Sequence, residues 1–429
     1  MAALSYPCST RHIGRQTMNQ PLPFAGIRVI EFAHFWSVPY GTMYLASQGA
    51  DVIKVESVQR PDVWRANHTA PILGDRWMDR GLLWQATNLD KRDITLDASN
   101  DQGRALLKQL CEGADIFIEN YASHVVEKQG LGYEDLKAIN PGIIMVRAPS
   151  FGNEGPWKSY VGWGDVFEQV SGFATVTGYP DSRPQTPGGY MDPIVAMHLT
   201  TAIIAALEYR DRTGEGQLIE VPQSEVGMAM AGAILIADQF GYPPERPGNR
   251  APGYAPQGVY RTGDAEKTYI ALSIRDDQEW QSLIAMVGMP TLDAFAASGL
   301  KERHEHHDEI DAIILAWTLA HPANDLLSRL QSAGIPASRL LKPVDYNIEP
   351  QLVDREYYQE LDHPLSGPRL FPTFPMHFSY EATRKVHSRP APTLGQHNEE
   401  ILRGELGVTE AKYADLIASN VIGTEPLQS

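Results

Sequence analysis

Residues 26–56 read "GIRVIEFAHFWSVPYGTMYLASQGADVIKVE", and the fold is decided here. The stretches 26–32 and 50–56 are short apolar runs rich in β-branched residues, the pattern of buried strands. The segment Pro39–Gln48 between them reads as a helix. Strands joined by a helical crossover pair in parallel. The alternation continues with a strand at "RDITLDA" (92–98), a helix from about Asp101 to Glu112, and strands at "ADIFIEN" (114–120) and "GIIMVRAPS" (142–150). This implies an α/β domain whose parallel sheet is covered on both faces. Ligands of such sheets bind at the carboxyl ends of the strands.

Beyond residue 190 an apolar helix is expected from Pro193 to Thr213, closed by Gly214, followed by a strand at "GQLIEVPQSE" (216–225). The segment "GYPPERPGNRAPGYAPQG" (241–258) is loop or linker by its Pro and Gly content. A smaller α+β region follows, with "KTYIALSI" (267–274) as its strand. The expected organisation is a flexible leader (1–22), a large α/β domain (23–225), a linker (226–250), a small α+β domain (251–331) and a segment returning to the large domain (332–429). Met18 is an alternative start within the leader.

With 36 basic and 53 acidic side chains the chain carries a formal charge of −17. That argues against nucleic acid or an anionic membrane as partner, because both need a basic face. Its two cysteines, Cys8 and Cys111, make neither a disulfide framework nor a metal quartet, which fits a reducing cytoplasm. The apolar runs Ile194–Leu207 and Val226–Ala237 are shorter than the ~20 residues that span a bilayer, so they read as buried helices. No phosphate-loop motif is present. The turn after "VIEF" is "AHFWSVP", with no glycine to admit a pyrophosphate, so a nicotinamide dehydrogenase is not expected. No G-x-S-x-G elbow marks a hydrolase. The run "RHEHHDE" (303–309) reads as a solvated helix face rather than a metal site.

One carboxylate stands apart. In "PGGYMDPIVAMHL" (187–199), Asp192 precedes a proline at the mouth of an apolar helix. Taken alone it is an N-cap with Pro at the first helical position.

Several segments in order resemble the class III CoA-transferases, the CaiB/BaiF family that includes formyl-CoA and carnitine CoA-transferases. They are the 26–56 stretch, "NLDKRDITLD" (88–97), "ADIFIENY" (114–121), "GWGDVFEQVSG" (162–172), "YMDPIVAMHLTTAIIAALEYRDRTGEGQ" (190–217), "PGNRAPGYAPQGVY" (247–260) and "RPAPTLGQHNEEIL" (389–402). The resemblance implies a Rossmann-like large domain, a smaller α+β domain and an interlocked homodimer. It makes Asp192 the nucleophile, with Gly188, Gly189 and the glycines near 248–258 as oxyanion donors. Coenzyme A and acyl-CoA are then substrates, with a small carboxylic acid as acceptor and no tightly bound cofactor or metal. Contacts to coenzyme A would fall on His34, Trp36, Ser37, Leu96, Asn120, Tyr121 and Lys128, with Asp165 positioning the nucleophile or the thioester. Ser57 stands where formyl-CoA transferase has a basic residue, and Arg60 or Arg65 is expected to compensate. The run of consecutive glycines that forms the flap of formyl-CoA transferase is missing from "NRAPGYAPQG" (249–258), which disfavours oxalate-like acids.

Two other readings stay open at this stage. An α-methylacyl-CoA racemase on the same fold needs a histidine directly before the acid of "GWGDVF", where this chain has Gly164. A non-catalytic acyl-CoA binding protein would not need Asp192.

Overall fold

The protein is described by a computed structural model covering residues 21–66, 74–186, 188–379 and 386–427. Residues 1–20 of the expected leader lie outside the described residues. The chain divides into two compact units, one built from 1–171, 187–232 and 350–429 and the other from 172–186 and 233–349.

The first unit contains β1 (Arg28–Phe32), β2 (Asp51–Glu56), β3 (Arg92–Thr95), β4 (Ile116–Glu119), β5 (Ile144–Arg147) and β6 (Leu218–Glu220). They form one sheet in the order β3-β2-β1-β4-β5-β6, with every pairing parallel. Each strand expected from the sequence is present. Because side chains alternate faces along a strand, both faces are apolar here. Ile30, Ile53, Ile94 and Phe117 face the helix α2 (Asp101–Glu112) together with Ile401, Leu402, Leu416 and Ile422 of the C-terminal segment. Val29, Val52, Ile118 and Val146 face α1 (Ser37–Ser47) and a long later helix.

The 389–402 segment covers the outer edge of β3, which would otherwise offer unpaired backbone groups. Gly395 N–H donates to Asp93 Oδ1 (2.6 Å), His397 N–H to the Asp93 carbonyl (2.9 Å), and Thr95 N–H to Asn398 Oδ1 (2.8 Å).

Two further elements complete the frame of the site. The helix α3 spans Gly164–Val170, and the long helix α4 spans Met191–Thr213, ending at Gly214 in the left-handed conformation (φ 77°). The N-cap expected at Asp192 is corrected. Tyr190 occupies the cap position without a side-chain cap, and Asp192 is the second helical residue. Pro193 is tolerated because the first turn has no intrahelical partner for its missing N–H. At 23 residues α4 is long and apolar enough to cross a bilayer on those criteria alone, longer than the 194–207 run suggested. Val195, Leu199, Ile203 and Ala206 bury one face of it against the sheet layer.

The second unit holds an antiparallel sheet of β7 (Gln257–Arg261), β8 (Tyr269–Ser273) and β9 (Ala337–Arg339). Its helices pack Trp280, Leu283, Ile310, Ile314 and Leu326 onto that sheet. Residues 332–349, placed by sequence with the returning segment, stay with this unit because β9 is its third strand. The solvated face expected for 303–309 is corrected in part. Arg303 and His307 are buried; Arg303 Nε donates to the Ala255 carbonyl (2.7 Å), and His307 Nε2 accepts from Gln257 N–H (2.9 Å). The run anchors the proline-stiffened 249–258 segment to its own unit.

Candidate active site

In the order 3-2-1-4-5-6 the chain reverses direction across the sheet between β1 and β4, so the crevice beyond their carboxyl ends is the default ligand site. The turns leaving the two strands are locked together there. His34 N–H donates to Asn120 Oδ1 (2.9 Å), Asn120 Nδ2 donates back to the His34 carbonyl (2.7 Å), and the Tyr121 hydroxyl lies 3.0 Å from His34 Nε2. Burial of most of the His34 ring holds its pKa below the usual histidine range, the Asp62 carboxylate opposing.

A cavity of about 500 Å³ opens at this edge, lined among others by His34, Arg60, Leu96, Tyr121 and Gln129. Three of the seven expected coenzyme A contacts thus lie in its wall, and Asn120 braces it from behind. Lys128 is exposed and is not among the lining residues, although its neighbour Gln129 is. Of the two arginines expected to compensate for Ser57, Arg60 lines the cavity. Arg65 does not serve, because it is fully buried and bound to Glu56, Asp79 and Asp93.

Trp36 and Ser37 lead from this cavity to Asp192. The Ser37 N–H, at the first position of α1, lies close enough to the Asp192 carboxylate to favour its charged form. A Cβ added to Gly189 would stand 3.3 Å from the Trp36 ring and 3.7 Å from Asp192 Oδ2. Asp192 itself is 8 % exposed. Burial raises its pKa to about 7, and the nearby Glu168 and Asp165 carboxylates add to the rise while Ser37 opposes it. An acid so placed gains its negative charge around neutrality, and as a carboxylate it is a poorly solvated nucleophile.

Gly164 has a specific reason to be glycine. A Cβ there would lie 2.4 Å from Asp192 Oδ2 and 2.6 Å from the Gly189 Cα. The residue before Asp165 therefore has no room for any side chain, and a catalytic histidine at that position is excluded by space.

Asp165 is half-buried on α3 and close enough to Asp192 to influence it. Glu168 was missed by sequence reasoning. It is fully buried and accepts from Tyr190 N–H (2.5 Å) and Gly188 N–H (3.4 Å). The signal was present, since residues three apart on a helix share a face and Asp165 had been singled out. This contact turns Gly188 N–H toward Glu168, away from the oxyanion-donor role expected of it. Both Gly188 and Gly189 have positive φ (91° and 87°), which gives the tight turn into α4. The glycines near 248–258 belong to the second unit.

A buried carboxylate with a raised pKa, close to the turn that walls a strand-end cavity, is a candidate reactive group. Comparison with known proteins makes this specific. Residues 24–398 match CoA-transferase family III, and the chain belongs to that family. It is a CoA-transferase of class III, an enzyme whose substrates are coenzyme A thioesters. It is 33% identical to succinyl-CoA–D-citramalate CoA-transferase of Chloroflexus aurantiacus, over 94% of this chain and 98% of that protein. It is 30% identical to succinate–glutarate CoA-transferase of Agrobacterium fabrum, over 90% of this chain and 96% of that protein. The crystal structure of a CaiB/BaiF family protein from Brucella suis aligns with a TM-score of 0.81 at 29% identity, over 90% of this chain and 100% of that one.

Proposed function

We propose that the enzyme moves coenzyme A from a dicarboxylic acyl-CoA of the succinyl type to a free dicarboxylic acid, with Asp192 as covalent nucleophile. The observation that carries this reading is the Asp192 carboxylate, buried, pressed between Gly164 and Gly189 next to Trp36, whose turn leads to the cavity at the sheet edge.

The chemistry follows from the carboxylate. Asp192 attacks the thioester carbonyl, and the carbon–sulfur bond breaks to release the CoA thiolate and leave a mixed anhydride. The thiolate attacks the aspartyl carbonyl of that anhydride, freeing the donor acid and forming an aspartyl-CoA thioester. The acceptor carboxylate attacks the same carbonyl, giving a second anhydride and thiolate. Attack of this thiolate on the acceptor's acyl carbonyl yields the new acyl-CoA and restores Asp192. No net proton is consumed, and one thioester replaces another, so no ATP is needed. In the anhydride the Ser37 N–H faces the aspartyl carbonyl oxygen and stabilises the oxyanion that forms on it, an effect commonly about 10²–10³ in rate. His34, Leu96 and Tyr121 hold the coenzyme A moiety in the cavity, and Arg60 in its wall meets phosphate.

The choice of dicarboxylic substrates rests on the succinyl and glutarate partners in the names of the two relatives and on the absent glycine-rich flap of oxalate-type enzymes. Exposed Met197, Ile204 and Tyr209 on α4 support a homodimer, which we place in the cytoplasm. The test is a matrix of acyl-CoAs against free acids with mass detection of each new thioester. Succinyl-CoA with C4–C6 dicarboxylates should give the fastest turnover. Exclusive use of formyl-CoA and oxalate, or α-proton exchange without transfer, contradicts the assignment.

A further inference from the structure

Phe35, one residue after His34, adopts φ 68°. A bulky residue takes this left-handed conformation only when its surroundings impose it. The ring is 41 % exposed, so the constraint acts largely on the backbone. Phe35 N–H donates to Asp62 Oδ1 at 3.0 Å. Asp62 is buried, and its carboxylate also accepts from Trp64 N–H through Oδ1 (2.9 Å) and from Lys54 Nζ through Oδ2 (2.8 Å). Lys54 is fully buried and spends its remaining ammonium hydrogens on Glu31 Oε1 (2.9 Å) and the Ala33 carbonyl (2.5 Å). The turn is therefore gripped on both sides of His34. A second buried lysine, Lys91, joins Glu31 Oε2 (2.8 Å) to the Pro39 carbonyl (2.7 Å) in the first turn of α1.

Burying four charges is unfavourable unless they are paired with good geometry, and it stabilises a protein less than apolar packing would. Here the four are fully partnered, and they bracket the peptide that ends at Ser37. They line neither the cavity nor, among the described contacts, the Asp192 carboxylate. We propose that the Lys54–Asp62 pair, standing on Glu31 and flanked by Lys91, is a positioning device that locks the left-handed turn at Phe35 and so aims Ser37 N–H at Asp192. This inference rests on Asp192 being the nucleophile.

Glu31 and Lys54 keep their charges on the acid side. Burial alone would raise Glu31, but Lys54 and Lys91 bring it down to about 2, and Asp62 and Glu31 hold Lys54 above the ordinary lysine range despite its burial. Lys91, lowered by burial to about 8, titrates on the alkaline side. An acid limb near neutrality therefore does not come from Glu31 or Lys54.

The test is Asp62→Ala, with rates normalised to folded enzyme. Loss of the grip should lower kcat at least about tenfold with KM for acyl-CoA within about threefold, since misaimed groups slow chemistry more than binding. The acid limb should move to higher pH, because Ser37 N–H no longer favours the carboxylate. Asp62→Asn keeps the acceptor for Phe35 but sets its amide NH2 against Lys54, so its rate should fall between those of Asp62→Ala and wild type. Adding Phe35→Gly to Asp62→Ala should restore much of it, since glycine takes φ 68° unaided. A folded Asp62→Ala with wild-type kcat and acid limb overturns the proposal. If that variant does not fold, Phe35→Val is read instead, because a β-branched residue resists this conformation at an exposed position, and wild-type values there overturn the proposal equally. Failure of the underlying reading is a separate result, in which wild-type enzyme forms no CoA adduct on Asp192.

Discussion

Replacing Gly164 by alanine adds one methyl group at the most crowded point of the site. Its Cβ would stand 2.4 Å from Asp192 Oδ2, where ordinary contact begins at 3.4 Å, so the carboxylate must withdraw by about 1 Å. The φ of Gly164 itself gives no objection, because it is outside the positive-φ glycines, but the Cβ would also stand 2.6 Å from the Gly189 Cα, so the turn into α4 must shift with the carboxylate. A misplacement of ~1 Å in a catalytic group lowers rate by about 10²-fold, equivalent to about 2.7 kcal/mol of transition-state stabilisation. The assay is steady-state formation of the new acyl-CoA, with circular dichroism to show that the fold is kept. Gly164→Ala should keep its secondary structure and lose about two orders of magnitude in kcat/KM. A variant within threefold of wild type would refute the placement of Asp192 against α3.

Four further outcomes follow from the same geometry. Asp192→Asn should lower transfer by about three orders of magnitude or more, measured as new thioester per folded enzyme, because the amide forms no anhydride. The same variant should be more stable than wild type at pH 8. A buried acid whose pKa rises from 3.8 to about 7 on folding loses stability as pH climbs between those values, by about 4 kcal/mol at most, and the amide removes that loss; chemical melts at pH 5 and pH 8 read the difference. Wild-type kcat/KM should fall on the acid side with a limb near 7, and Glu168→Gln, which removes the largest neighbouring charge, should move that limb to lower pH. Arg60→Ala should weaken coenzyme A binding more than Lys128→Ala, as only Arg60 lines the cavity, with the larger effect in calorimetry at low ionic strength.

The sheet was legible because its strands are buried on both faces and so appear as mainly apolar runs such as "GIRVIEF" and "GIIMVRAPS". The same runs hid the charged scaffold. Glu31 and Lys54 sit inside strands whose apolar neighbours dominate the pattern, and nothing local says that they meet across β1 and β2. Asp192 was found through the order of motifs, yet its cap role was misread, since Asp followed by Pro fits a cap locally while the carboxylate is drawn to Ser37 from another element. The "NLDKRD" segment stood out without a stated role. In the fold Asn88 and Lys91 prop the α1 turn, Arg92 reaches Asp51 and Glu400, and Asp93 holds the returning chain, partners that are 300 residues apart in two cases.

The most direct measurement is peptide mapping of enzyme mixed with an acyl-CoA and quenched within a turnover. The account predicts a coenzyme A mass adduct on the peptide containing Asp192, removed by hydroxylamine and absent from Asp192→Asn. An adduct on a different residue, or full transfer activity in Asp192→Asn, would contradict it.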